Sequence, residues 1–194
     1  MHPKSYHPLL RPPWFLACAA LLAALDQAAK ALVRARIAPG DPVELVSGVI
    51  GFVHATNLRG VSWWVPEVSW WGALLVELAL AVVLLGAYPL LRFHTDTHRA
   101  SPWALGAALL LTGAAAGHLL DPVFTTGTTD WIRVLRLPAF NLADLYAYIG
   151  LGSLAVELWW VHTRAAGLTL RERIARARHS RREFVRYVRR GLRR

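Results

Sequence analysis

The apolar positions of this chain are gathered into four long blocks: about Trp14–Val33, Trp70–Leu91, Pro102–Leu120 and Leu142–Val161. Each approaches the roughly 20 residues that a helix needs to cross the hydrocarbon core of a bilayer. The blocks predict four transmembrane helices, at about 14–33, 70–91, 102–121 and 142–162. Between the first two, Pro39-Gly40-Asp41-Pro42 signals a turn. The stretch Val43–Thr56 that follows is β-branched and partly alternating, as in Val49-Ile50-Gly51-Phe52-Val53, and reads as short strands. The expected fold is an all-α membrane protein: a four-transmembrane-helix bundle with a small extracytoplasmic β-sheet and a basic C-terminal cytoplasmic helix. Residues 1–163 form the membrane domain and 164–194 the tail.

Charge fixes the orientation. The net charge is +10, and all of it lies between Arg164 and Arg194, where 12 arginines face only Glu172 and Glu183. Positive charge beside span ends marks the cytoplasmic side. Lys4 and Arg11 before the first block, and Arg92 and Arg99 between the second and third, agree with the tail. An even number of spans then places both termini inside and the 1–2 and 3–4 connections outside. The first block has features of a signal peptide, including a poor lipobox at Phe15-Leu16-Ala17-Cys18, but three later spans favour a retained helix. Trp63, Trp64, Trp70 and Trp71 fit an interfacial aromatic belt. Leu170–Arg194 reads as an amphipathic helix on anionic lipid, a reading favoured over nucleic-acid binding by its place beside a span on the inner face. Cys18 is the only cysteine, which excludes an intrachain disulfide and a cysteine-based metal site.

Against this background the ionisable residues at membrane depth single themselves out. Asp121 closes the third block and Asp144 opens the fourth. Consecutive spans run antiparallel, so the two carboxylates are expected to meet at the extracytoplasmic face. Such a pair, sharing one proton, is able to activate water. Asp144 also suits a plain helix-capping role, since a helix start favours an anion, whereas Asp121 sits near a helix end that disfavours one. Asp26 and Lys30 form an i, i+4 pair on one helix face, expected to neutralise each other or a partner and to tie the first span to the bundle. Asn57 and Asn141 are placed to orient a carboxyl or a substrate backbone. Asp130 is expected to fix the outer loop, with little catalytic weight. His118, three residues before Asp121, shares its helix face and is able to hydrogen-bond it or simply to fill space.

Four segments, in order, carry a resemblance to lipoprotein signal peptidase (signal peptidase II), the four-span aspartyl peptidase family of bacterial inner membranes. They are Leu25-Asp26-Gln27-Ala28-Ala29-Lys30; Asn57-Leu58-Arg59-Gly60-Val61-Ser62-Trp63; Gly113 to Asp121 with Thr129-Asp130-Trp131-Ile132; and Phe140-Asn141-Leu142-Ala143-Asp144. The resemblance implies a membrane aspartyl endopeptidase with Asp121 and Asp144 as catalytic residues. It implies Asn57, Arg59, His118, Asn141, Asp26, Lys30 and Asp130 as substrate-binding or supporting residues. The implied substrate is a diacylglyceryl-modified prolipoprotein, cut just before its lipid-bearing cysteine. Two positions depart from the family's third motif, Gly-Asn-x-x-Asp-Arg. His118 stands where it has asparagine, and Pro122 where it has an arginine that pairs with the substrate backbone. Arg59 is a candidate to supply the missing guanidinium from the other outer loop.

No metal or organic cofactor is called for, because two carboxyls suffice to handle the water. The expected partners are the lipidated substrate and membrane lipids, with no nucleic acid and a monomeric state. Two competing readings are a non-catalytic relative that binds lipidated peptides or lipids, and a small transporter or proton relay. The latter needs a polar path, and spans 2 and 4 offer only Glu77 and Glu157 in their interiors.

Overall fold

The computed structural model describes residues 12–57, 70–97 and 101–191. Arg59, Trp63 and Trp64 lie outside the described residues. The elements in chain order are α1 (Pro12–Arg36), β1 (Val43–Val46), β2 (Ile50–Asn57), α2 (Trp70–Thr97), α3 (Pro102–Phe124), β3 (Thr128–Val134), α4 (Leu142–Ala165) and α5 (Leu170–Gly191).

Helix α3 is the hub, packed against α1, α2 and α4. Its start is defined by Ser101, whose hydroxyl accepts from the Trp103 N–H, with Pro102 in the first turn, where a missing N–H costs nothing. Glycines on α3 and α4 set how closely the helices approach. A Cβ on Gly113 would lie 2.8 Å from the Leu22 side chain of α1. One on Gly117 would lie 3.0 Å from Asp26 and 3.1 Å from Ala143, and one on Gly150 2.9 Å from Leu111. These contacts also give the directions. Leu22 faces Gly113 and Asp26 faces Gly117, so α1 and α3 run parallel; Gly150 meets Leu111 and Ala143 meets Gly117, so α3 and α4 run antiparallel. The end of α3 therefore meets the start of α4.

The three strands form one antiparallel sheet in the order β1-β2-β3. Strand β3 falls in a connection that the sequence pattern leaves without a regular element. It is a strand because β2 is central and offers its second edge, in the register Ile50↔Val134 to Asn57↔Thr128. An ion pair from Arg133 to Glu44 at 3.0 Å, from β3 to β1, spans the sheet. Arg34 near the end of α1 donates to the Thr129 hydroxyl at 2.9 Å, tying the sheet to the bundle.

Much of the helix surface is apolar and exposed, including Leu21 and Leu32 on α1, Leu75 and Val83 on α2, and Leu158 and Trp159 on α4. Contiguous apolar faces of that size mark contact with something other than water. Among the described residues, two helices, Pro13–Arg36 and Pro102–Phe124, are long and apolar enough to cross a membrane, and α2 holds a shorter apolar stretch at Leu74–Leu84. Helix α5 returns to α2, where the Phe93 ring meets Phe184 and Tyr187 edge-on at 5.5 and 5.6 Å.

The close approach at Gly117 makes a sharp prediction. Gly117→Ala should destabilise the protein by about 1–3 kcal/mol, because both neighbours are held in place and neither is the free end of a flexible chain. Gly152→Ala meets nothing within 4 Å and should be neutral or slightly stabilising through helix propensity. Thermal unfolding of the two variants in detergent measures the difference.

Candidate active site

A buried ion cluster joins three helices. Lys30 and Asp26, one turn apart on α1, pair at 2.7 Å, and both side chains are 0% exposed. The same ammonium donates to both Asp121 oxygens, at 2.8 and 2.9 Å. The Gln27 amide donates to Asp121 Oδ1 at 2.7 Å and to the Gly117 carbonyl at 2.9 Å. Asp26 Oδ1 accepts from the Ala143 backbone N–H at 3.0 Å, in the first turn of α4. The cluster holds two carboxylates and one ammonium, and the positive end of the α4 dipole offsets the surplus anion.

A second group of polar side chains is organised by Asn141, which caps α4. Its side-chain carbonyl accepts from the Asp144 N–H at 3.1 Å, and its own N–H donates to Asp144 Oδ2 at 3.0 Å, a reciprocal capping box. Its amide donates to Asp130 Oδ1 at 2.7 Å. One asparagine thus grips both carboxyl groups. Asp130 also accepts a hydrogen bond from Asn57. Burial, with the negative charge of Asp144 adding to it, pushes Asp130 up to about 7 against the opposing pull of Asn141, Asn57 and Lys30. Asp144 is the more open of the two, 24% exposed.

His118 lies between the two groups. Its Nδ1 is 3.7 Å from Asp121 Oδ2 and its Nε2 is 3.5 Å from Asp144 Oδ1. Pro122 occupies the last turn of α3, which closes with the Thr125 N–H and hydroxyl both donating to the Asp121 carbonyl at 2.9 and 3.0 Å.

The structure therefore gathers Asp26, Lys30, Asn57, His118, Asp121, Asp130, Asn141 and Asp144 into one region at the end of α3, the start of α4 and the adjoining strands. Arg59 lies outside the described residues. Asp121 approaches Asp144 through His118, and its two oxygens are engaged by Lys30 and Gln27. Asp130, expected to fix the outer loop, lies buried on β3. Among the described residues no group of three or more His, Cys, Asp or Glu is arranged to hold a metal ion.

Residues 18–160 match the family model described as Signal peptidase (SPase) II. This chain belongs to the signal peptidase II family. Its relatives include the lipoprotein signal peptidase of Gloeobacter violaceus, 32% identical over 153 residues, which are 74% of this chain and 80% of that protein. That of Solibacter usitatus is 32% identical over 158 residues, 78% and 93% of the respective chains. A bacterial membrane enzyme solved by the in meso method shares the fold, with a TM-score of 0.64 at 21% identity over 87% of this chain and 98% of that one. A second such structure gives 0.59 at 22% identity over 81% and 97%. The signal peptidase II match ends before the start of α5.

Removing one member of the cluster should be severe. Lys30→Met leaves two buried carboxylates without a cation and should cost about 3–5 kcal/mol. Adding Asp26→Asn and Asp121→Asn to the same chain should recover much of that loss. Thermal unfolding and the yield of monodisperse protein in detergent read both effects.

Proposed function

We propose that this chain is an aspartyl endopeptidase that removes signal peptides from diacylglyceryl-modified prolipoproteins, with Asp130 and Asp144 as its water-activating pair. Family membership supports the peptidase activity and the lipoprotein substrate. The observation that carries the choice of pair is the shared grip of Asn141 on both carboxyls, one of them buried and pushed up to about 7, the other open. Asp121 supports the site in this reading: its oxygens are occupied by Lys30 and Gln27 and are poorly available to a water.

Two carboxyls with unequal surroundings suit the division of labour that peptide hydrolysis needs. Asp144 takes a proton from the water as its oxygen adds to the scissile carbonyl carbon. Asp130 donates its proton to the carbonyl oxygen. The tetrahedral adduct then collapses: one hydroxyl returns its proton to Asp130 as the carbonyl re-forms, the C–N bond breaks, and the leaving amine takes up the proton that Asp144 had received. Asn57 and Asn141 hold the acids, and Asp26, Lys30 and Asp121 hold the helices that carry them.

The membrane arrangement belongs to the same proposal. Helices α1 to α4 all span, both termini are cytoplasmic, and the sheet and the acids lie at the extracytoplasmic face. Residues 1–163 form the membrane domain and 164–194 the tail. The substrate's acyl chains lie between helices from the lipid side, and the enzyme acts as a monomer. Helix α5 rests on anionic lipid of the inner leaflet, supported by its arginines and by the exposed Leu170, Ile174 and Val185. A second reading, a non-catalytic relative that binds lipidated peptides, is favoured only by His118 and Pro122, and it predicts that Asp→Asn changes at the pair are tolerated.

Cleavage of a lipidated prolipoprotein by the purified chain tests this. Asp130→Asn and Asp144→Asn should each lower the rate on the order of 10³-fold or more. Asp130→Asn should keep its unfolding temperature, because the amide mimics the protonated acid. Asp121→Asn should lose stability together with activity, since it opens the buried cluster. Retained cleavage in Asp130→Asn would return the role to Asp121.

The pH dependence has a defined sign. The mechanism needs the proton on Asp130, and that proton is held below about 7. The rate should therefore fall as pH rises through about 7, and a rate still climbing well above that value would count against Asp130 as the acid.

A further inference from the structure

Helix α5 holds most of the excess charge of the chain, and its two sides differ in kind. It starts with a reciprocal cap: the Glu172 carboxylate accepts from the Thr169 N–H at 2.8 Å, and the Thr169 hydroxyl accepts from the Glu172 N–H at 3.3 Å. One side, with Ser180, Glu183, Phe184, Tyr187 and Val188, is half-buried. There Phe184 and Tyr187 meet the buried Phe93 near the end of α2. The other side is open, and Arg178, Arg181, Arg182, Val185 and Arg186 line one groove along it. Steps of three and four residues put these side chains on one face. The same stripe runs back through Ile174 to Leu170, two exposed apolar side chains.

The four guanidiniums of the groove lack an acid of their own. Glu172 is engaged by Thr169, and Glu183 lies 3.4 Å from His179 on another side of the helix. Among the described residues no ion pair engages Arg178, Arg181, Arg182 or Arg186. Like charges three and four residues apart repel along a helix, so an anion lying in the groove relieves the face. Successive turns are about 5.4 Å apart. Arg178 with Arg181, and Arg182 with Arg186, therefore offer two pairs of guanidiniums about one turn apart, and each pair suits one phosphate.

The surroundings favour a lipid over a nucleic acid. Helix α5 follows α4 after a short turn, and the end of α4 exposes Trp159 and Trp160, with Arg164 5.0 Å over the Trp160 ring. Aromatic and basic side chains of this kind hold span ends at the headgroup level. Leu170, Ile174 and Val185 set apolar groups among the arginines, which suits acyl chains beside phosphates and gives a polynucleotide nothing.

We propose that this face of α5 binds a phospholipid with two phosphodiesters joined through one glycerol, each phosphate taken by one pair of arginines. The proposal rests on the reading of α5 as a helix on anionic lipid and is independent of the peptidase activity.

The test titrates the full chain in neutral detergent with cardiolipin, which has two such phosphates, and with phosphatidylglycerol at equal phosphate concentration. Native mass spectrometry counts the lipid retained. Two phosphates on one molecule act as a bivalent ligand, so cardiolipin should bind at least about tenfold more tightly. Arg178→Gln/Arg182→Gln removes one arginine from each pair and should erase that difference. Arg173→Gln/Arg176→Gln removes the same charge from the side that carries Ser180 and Glu183 and should preserve it. Unfolding temperatures in lipid-free detergent should stay close together, since only exposed side chains change. Equal affinity for the two lipids, or a preference that survives in the groove variant, overturns the proposal and leaves α5 on anionic lipid in general. Retention of neither lipid overturns that broader reading as well. A short RNA strand that binds the wild type more tightly than cardiolipin, and is lost in the groove variant, overturns the proposal in favour of a nucleic acid.

Discussion

Lys30 is the constraint on which the arrangement depends. A fully buried ammonium has to be matched by charge and by hydrogen bonds, and here it is matched by an anion on its own helix and another on α3. That requirement selects one register between α1 and α3, because sliding either helix by a residue would turn a carboxylate away from the cation. The same register brings Gly117 against Asp26, leaving room for its carboxylate to reach the first turn of α4. Buried ion pairs are weak sources of net stability, since desolvation consumes most of the attraction. Their value in this bundle lies in discrimination among packings that apolar side chains alone would leave nearly equal. Three helices are thereby fixed at the end where the acids gather.

From that fixed frame, four aspartates of identical chemistry are given different states. Asp26 and Asp121 are both paired with one lysine. Asp144 sits in the first turn of α4, in a capping box with Asn141, and it retains partial exposure. Asp130 is buried on a strand with neutral amide partners and a negative neighbour, and it holds its proton to about 7. In the proposed reading, environment alone separates acid from base, the pattern expected when a site must offer both at one pH.

The helices and the residues of the cluster were legible in the sequence because their signals are local. Long apolar blocks announce helices, and an i, i+4 pair of opposite charges announces itself. What the local pattern hid was the second partner of each group. The Asp26–Lys30 pair calls for neutralisation by each other or by a partner, and the pattern does not name that partner, Asp121, far along the chain. The strand β3 was hidden for a related reason. Its seven residues pair with β2 across two intervening helices, which leave no turn signal to join the two. With β3 unread, Asp130 is read as a residue that fixes the outer loop, whereas the structure places it buried on a strand.

The small sheet then has a definite physical purpose. An acid at the C-terminal end of α3 meets the negative end of the helix dipole, an unfavourable placement that a cation nearby offsets. Asp121 has that cation, and the same contact occupies its oxygens. A strand carries only a small net dipole, so an acid delivered by β3 is free of that demand and takes its state from burial and neighbours. The bond from Arg34 to Thr129 fastens the strand to α1 one residue before Asp130. In the proposed reading, bundle and sheet thus supply different settings for the two acids, a helix start for Asp144 and a buried strand for Asp130, and Asn141 closes the short distance between them.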